Sequence, residues 1–451
     1  MGKKGTKDLT VGNPLKVIIS FMLPIFFGIL FQSFYSLVDS IIVGQTLGKD
    51  ALAAVGATNS VTFLIIGFCN GTASGFSIPV AQRFGAKDEN GVQKFIANSI
   101  RLSIVVSAIV TVAVCFLCMQ ILEMMHTPDN IIKAAYAYLI VIFAGIPFTF
   151  FYNLFSGIIR AMGDSKTPVI MLVLGSAINI VLDLFFIIVL GTGVEGAAYS
   201  TVISQLIAMI GCIIALINKF NILQISKENR RSDAQCKKTL LYMGMPMGLQ
   251  YSVTAIGSVI LQVAINGLGS DHVAAFTAGC KIGMFVCAMY EALGGTMATY
   301  GGQNLGAKRL DRISRGLRDG VLVGFAYSVF VCIFLNIFAD KLVLLFLDAN
   351  ETQIVYNAAL FLKIESFFYC LLTLVNAVRF MIQGLGFSFF AVIAGVMEMI
   401  ARVVVAVTLI PVLGYTGACL GSPFAWILAD LFLIPAFFYV KKQLEKQFSN
   451  S

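Results

Sequence analysis

Two aspartates stand in stretches otherwise built from Leu, Ile, Val and Phe: Asp39 in the first apolar run and Asp183 in the fifth. A carboxylate at hydrocarbon depth is costly enough to mark a functional site by default. Asp39 shares a helical face with Gln32, Tyr35 and Ser36, spaced i, i+3, i+4 and i+7, and a polar stripe on an apolar helix is expected to line a cavity. Asn179 lies one turn before Asp183 on the same face, and Thr201 and Ser204 follow on the next run. Carboxylate, amide and hydroxyl oxygens are the ligands a hard cation prefers, so Asp39, Asn179, Asp183 and Thr201 form a candidate cation site. A competing reading puts both aspartates near the outer ends of their helices, solvated by external water. It explains their tolerance, but not the amide and hydroxyl beside them.

Membrane-crossing helices must position these residues. Of the 451 residues, 58% are hydrophobic and 12% charged, where a soluble chain has about 25% charged. The apolar residues arrive in blocks near the ~20 that a spanning helix needs. Runs such as 102–119 and 169–190 are apolar on every face, which excludes the alternating pattern of a membrane β-barrel. Twelve spans are read, near 14–45, 51–82, 92–121, 131–159, 167–190, 196–218, 239–267, 272–302, 319–339, 353–380, 388–411 and 417–440. An even number puts both termini on one side. Most Lys and Arg cluster on that side, from Lys3, Lys4 and Lys7 through Arg83, Lys94, Arg160, Arg230, Arg309 and Arg379 to Lys441, which predicts cytoplasmic termini in a cell membrane. Lys281, Lys363 and Arg402 fall inside spans. The net charge of +8 is then topology signal and lipid-headgroup contact, not nucleic-acid binding. Most of the ten cysteines sit in apolar runs as small hydrophobes, and the lone Cys115-x-x-Cys118 lacks the partners of a metal site.

The two halves repeat. A shift of 221 residues lays Leu47-Gly48-Lys49-Asp50 on Leu268-Gly269-Ser270-Asp271, Gly85-Ala86-Lys87 on Gly306-Ala307-Lys308, and Gly193 and Gly196-Ala197 on Gly414 and Gly417-Ala418. Six spans per repeat give both halves the same orientation, about an axis along the membrane normal. The expected architecture is all-α, with a six-helix lobe at 1–218, a cytoplasmic linker at 219–238 and a second lobe at 239–451 around a central cavity.

In these features the chain resembles the multidrug and toxic compound extrusion (MATE) family. The likeness rests on the twin six-span repeats, on Pro24 and Pro246 in the first span of each half, and on the Gln-x-x-Gly-Ala-Lys loops after the second span of each. Arg160-Ala-Met-Gly-Asp-Ser-Lys-Thr-Pro168 after the fourth span looks like the corresponding family loop. The resemblance implies an efflux antiporter driven by sodium or proton re-entry, with Asp39, Asn179, Asp183 and Thr201 matching a cation site of the amino-terminal lobe. Pro24, lacking a backbone N–H, is expected to act as a hinge. Small amphipathic, often cationic substrates and membrane lipids are the implied partners. No cofactor beyond the coupling ion and a monomeric state are expected.

The second half departs from the first. Its opening span carries Gln250, Thr254, Ser258 and Gln262 without a carboxylate, and with Gln32, Tyr35, Ser36 and Lys281 the first two of these are expected at a substrate cavity. Glu398 and Arg402 are four apart and predict a mutual ion pair, Lys281 has no opposite charge within one turn, and Asp430 reads as peripheral. Phe148, Phe150, Phe151 and Tyr152 are candidates for stacking on a planar substrate. A lipid-linked precursor flippase is the alternative function; it needs a strongly cationic cavity, whereas most Arg and Lys here lie in loops. An enzyme is disfavoured by the lack of a metal or nucleophile motif, and direct use of ATP by the lack of a Walker-type loop.

Overall fold

The computed structural model describes residues 6–125, 127–220, 226 and 228–449. Lys3, Lys4, His126 and the middle of the expected linker, 221–225 and 227, lie outside the described residues. The described chain is helical throughout. The first half comprises α1 (Pro14–Leu47), α2 (Lys49–Gly85), α3 (Glu89–Phe116), α4 (Cys118–Met124), α5 (Asp129–Ala144), α6 (Ile146–Ala161), α7 (Lys166–Asp183) and α8 (Val194–Phe220). The second comprises α9 (Ala234–Asn266), α10 (Ser270–Gly306), α11 (Leu310–Val343), α12 (Thr352–Phe367), α13 (Tyr369–Gly384), α14 (Phe389–Val404), α15 (Ile410–Leu413), α16 (Tyr415–Cys419) and α17 (Gly421–Ser449). Among the described residues ten helices, or helices run together, are long and apolar enough to cross a bilayer, and two bent pairs bring the total to twelve.

The repeat predicted from sequence recurs as local geometry. The bent pairs are α5 with α6, at 45°, and α12 with α13, at 55°. Pro147 at the start of α6 lacks the N–H that would continue the first helix, while the second bend forms at Phe368 with no proline. A π-helical turn follows α7 at Leu184–Val189 and another follows α14 at Val405–Leu409. The Gly-Ala-Lys loops match as well: Lys87 and Lys308 both adopt left-handed backbone, with φ of 57° and 56°. That conformation lets the next residues, Asp88 and Arg309, donate back to the carbonyls of Arg83 and Asn304 and so close the ends of α2 and α10.

The chain divides into two compact units. Residues 1–8 and 27–248 form one, and 9–26 with 249–451 form the other. The helix α1 therefore begins in the second unit and ends in the first, and the change comes just after Pro24. Inside the first unit, close packing depends on small residues. A Cβ on Gly75 would come within 2.5 Å of the Gly244 Cα, so α2 and α9 touch backbone to backbone. The loop after α6 is held by Asp164, which accepts from the Thr167 hydroxyl at 2.6 Å, from the Lys166 and Thr167 N–H groups, and from Lys219 Nζ at 2.9 Å. Burial alone would raise the pKa of Asp164, but these donors hold it below the usual carboxylate value.

In the second unit the peptide before α1 is gripped by side chains of α10 and α11. Leu9 is fully buried; its N–H donates to Gln303 Oε1 at 3.0 Å, and its carbonyl accepts from Asn304 Nδ2 at 3.2 Å and Arg312 Nη2 at 3.1 Å. Arg312 also donates to the Gly12 carbonyl at 2.7 Å and to Asn304 Oδ1 at 3.0 Å. A guanidinium satisfied on three sides by buried acceptors is a rigid anchor. Arg312→Met leaves those acceptors unsatisfied, at ~1–3 kcal/mol for each that stays dry. The variant is expected to melt several degrees lower and to lose its amino-terminal residues faster to trypsin; an unchanged digestion rate refutes the anchor.

Candidate functional site

Asp39, Asn179, Asp183 and Thr201 come from α1, α7 and α8 of the first unit and converge. Asn179 and Asp183 are fully buried, and Asp39 and Thr201 partly so. The two carboxyl groups are close neighbours, and Ser200 lies beside Asp183, its hydroxyl donating to the Gly196 carbonyl at 2.9 Å. In the orientation that satisfies both ends of its amide, Asn179 donates to Asp183 Oδ2 at 3.2 Å and accepts from the Thr201 N–H at 3.1 Å. The Thr201 hydroxyl itself donates to the Ala197 carbonyl at 3.0 Å. One oxygen of each aspartate, Oδ1 in both, is buried without any hydrogen-bond donor. Two buried acceptors without donors are electrostatically incomplete, and a proton or small cation can supply what is missing.

Local sequence accounts for the convergence. Asp183 ends the regular part of α7, and the π-helical turn after it is closed by Thr192, whose N–H and hydroxyl both donate to the Phe186 carbonyl. Wide turns of this kind recur next to functional residues because they re-aim side chains. Gly196 admits this turn: a Cβ there would lie 2.3 Å from Thr192 Oγ1. Tyr35 on α1 and Tyr138 on α5 also face the aspartates. Tyr138 was not singled out from the sequence, since one tyrosine in an apolar run carries no pattern. Near one end of the unit, Leu47, Asp50, Asn130, Lys133, Ala137 and Glu195 help line a cavity of about 410 Å³. Gln32 and Ser36 are exposed on α1.

The second unit differs from expectation at several residues. Arg379, read as a loop charge, is buried in α13 at 5% exposure and makes a close ion pair with Glu398 of α14. It escaped notice because it sits near the end of an apolar run. Arg402 is the more distant partner of Glu398, at 3.9 Å, and also donates to the Thr254 carbonyl at 3.4 Å. Asp430, read as peripheral, is 4% exposed and has both oxygens without a hydrogen-bond partner. Glu365 is buried beside Ser422, and Lys363 pairs with Asp340 at 2.7 Å. Gln250, assigned to a cavity, is instead buried in the lobe, where its amide oxygen accepts from Gln383 at 3.2 Å. Thr254 and Lys281 are half-buried. In the first unit, near Pro147, Phe150 is fully buried against Phe76, and Phe151 stacks on Phe155.

The MatE family model matches residues 24–185 and again 246–408, one copy in each half. The chain belongs to the MATE family. Among relatives, the "Probable multidrug resistance protein YoeA" of Bacillus subtilis is 28% identical over 356 residues, covering 77% of this chain and 76% of that protein. The "FAD transporter" of Shewanella oneidensis is 24% identical, over 73% of this chain and 74% of its own length. Among solved structures, a crystal structure of MATE in complex with MaL6 superposes with a TM-score of 0.90 at 26% identity, covering 99% of this chain and 100% of that one. These matches establish a two-lobed membrane transporter of the multidrug-resistance type, not an enzyme, and do not favour the flippase alternative.

The ion-pair geometry of this MATE protein ranks the two arginines that pair with Glu398. Removing one partner of a buried pair costs ~3–5 kcal/mol because the other charge is left bare. Arg379→Met is therefore expected to lower the melting temperature in detergent more than Arg402→Met, and adding Glu398→Leu to Arg379→Met should recover much of the loss. The reverse ranking would show that Arg402 is the principal partner of Glu398.

Proposed function

We propose that this MATE transporter exports small amphipathic, often cationic compounds in exchange for sodium ions or protons, by alternating access. The observation that carries the reading is the pair of donor-free oxygens on Asp39 and Asp183, buried in the first unit beside an amide and two hydroxyls. Neither aspartate has a Lys or Arg ion-pair partner among the described residues, so their counter-charge has to be exchangeable. A cation arriving at the pair and a cationic substrate compete, since one set of carboxylates in a low-dielectric setting cannot neutralise both cheaply. Coupling follows from that competition. The positive-inside pattern supports cytoplasmic termini, and a monomer is the working unit in this reading.

The ligand chemistry separates the two ions. A proton needs only a carboxylate, whereas a dehydrated sodium ion also takes neutral oxygens such as those of Asn179 and Thr201. Asp39→Asn and Asp183→Asn are each expected to abolish export while the protein still inserts and folds. Asn179→Ala should lower sodium-driven flux by ~10-fold while sparing more of the proton-driven flux. Dye efflux from proteoliposomes under a sodium gradient at fixed pH, then under a pH gradient without sodium, checks each variant. Normal export by Asp39→Asn, or flux indifferent to both gradients, rules out the antiport reading.

A further inference from the structure

Asp430 is a carboxyl to which the second unit gives no donor. On α17 it shares a buried face with Trp426, Ala429 and Leu433, and it is 4% exposed with both oxygens lacking a hydrogen-bond partner. A bare carboxylate at that burial is not stable by itself; it takes up a proton or meets a positive charge. The positive charge is at hand but occupied. The helix α17 packs on α13 and α14. From α13 comes Arg379, whose charge acts on Asp430, together with Tyr369 and Cys370, and from α14 come Glu398 and Arg402. The short helix α16 adds Tyr415 and Cys419, the π-helical turn at Val405–Leu409 adds nothing that titrates, and Glu365 of α12 meets α17 at Ser422, about two turns away. Arg379 donates Nη2 to Glu398, while its Nε, also buried, has no acceptor. One guanidinium thus serves one carboxyl, neighbours a second and keeps a donor unused.

Two arrangements satisfy this cluster. With a proton on Asp430, Glu398 keeps Arg379, which is the pairing seen here. Without that proton Asp430 is a second anion beside two cations, and Arg402 remains for Glu398 when Arg379 turns to Asp430. Both forms are therefore within reach. Sodium does not replace the proton: it would stand as a further positive charge beside the guanidiniums, and no amide or hydroxyl is hydrogen-bonded to Asp430 to help ligate it, whereas a proton only removes the charge. We infer that Asp430 is a proton-specific site, separate from the Asp39 and Asp183 pair, and that its proton decides whether Arg379 ties α13 to α14 or to α17. Such a site gives the second unit a response to pH that is independent of which ion drives export.

Infrared difference spectroscopy of the full-length protein in lipid nanodiscs reads protonated carboxyls directly through their C=O stretch. Raising the pH is expected to remove one such band reversibly, and Asp430→Asn should abolish that band while leaving the others. Raising sodium from trace to saturating should not move its midpoint. Glu398→Gln, which releases Arg379, should weaken proton binding at Asp430 by ~10-fold or more, and this effect should vanish when Arg379→Gln is added, since it acts through the arginine. A spectrum that Asp430→Asn leaves unchanged at every pH overturns the site. So does an Asp430 band that persists at every pH, or one whose midpoint sodium displaces. A Glu398→Gln effect that survives without Arg379 overturns the exchange of partners. None of these readings involves transport, so they stand or fall apart from the antiport reading.

Discussion

A carboxylate set among apolar helices must find either a hydrogen-bond donor or a positive charge, and the two units meet that demand in different ways. In the second, Glu398 has a resident counter-charge, Arg379 closing on it with Arg402 behind. In the first, Asp39 and Asp183 have each other, an amide and hydroxyls, and no cationic side chain. A resident arginine makes a buried charge permanent and structural. Its absence makes the charge available to an ion that can leave. The contrast is drawn on a duplicated scaffold, since the residues 221 positions after Asp39, Asn179 and Asp183 are Ile260, Ile400 and Val404. The two halves share the helices, the bends and the π-helical turns but not these carboxylates.

Helix number, the repeat and the aspartate pair were legible from residue order because each leaves a local signal. Apolar length reports a span, a fixed offset reports duplication, and an aspartate in a run of Leu and Phe reports itself by its cost. The second unit's charges were harder to place. Arg379 lies five residues before Gly384, where a chain ending its span and a chain still inside it look alike, and only the packing of α13 against α14 decides between them. The tight hold of Arg379 on Glu398 was hidden behind the i, i+4 neighbour Arg402, which matches the helical rule yet sits further away. Gln250 and Phe150 were hard to place for a related reason: polar stripes and aromatic clusters serve interiors as readily as cavities, and periodicity does not tell which surface is covered.

The anchor at Arg312 bears on how the first helix moves. Residues 9–26 are fastened within the second unit, whereas Asp39 lies in the part of α1 that belongs to the first. One helix therefore serves two bodies. Pro24, whose ring removes a backbone hydrogen bond from the turn before it, stands close to the place where membership changes.

Neither compact unit is a continuous stretch of chain: the first unit includes the opening turns of α9, and the second includes those of α1. Either half made as a separate polypeptide, cut within residues 219–238, would therefore lack a stretch of helix that its compact unit includes. Carrying both halves on one chain makes the delivery of that stretch an intramolecular event at high effective concentration.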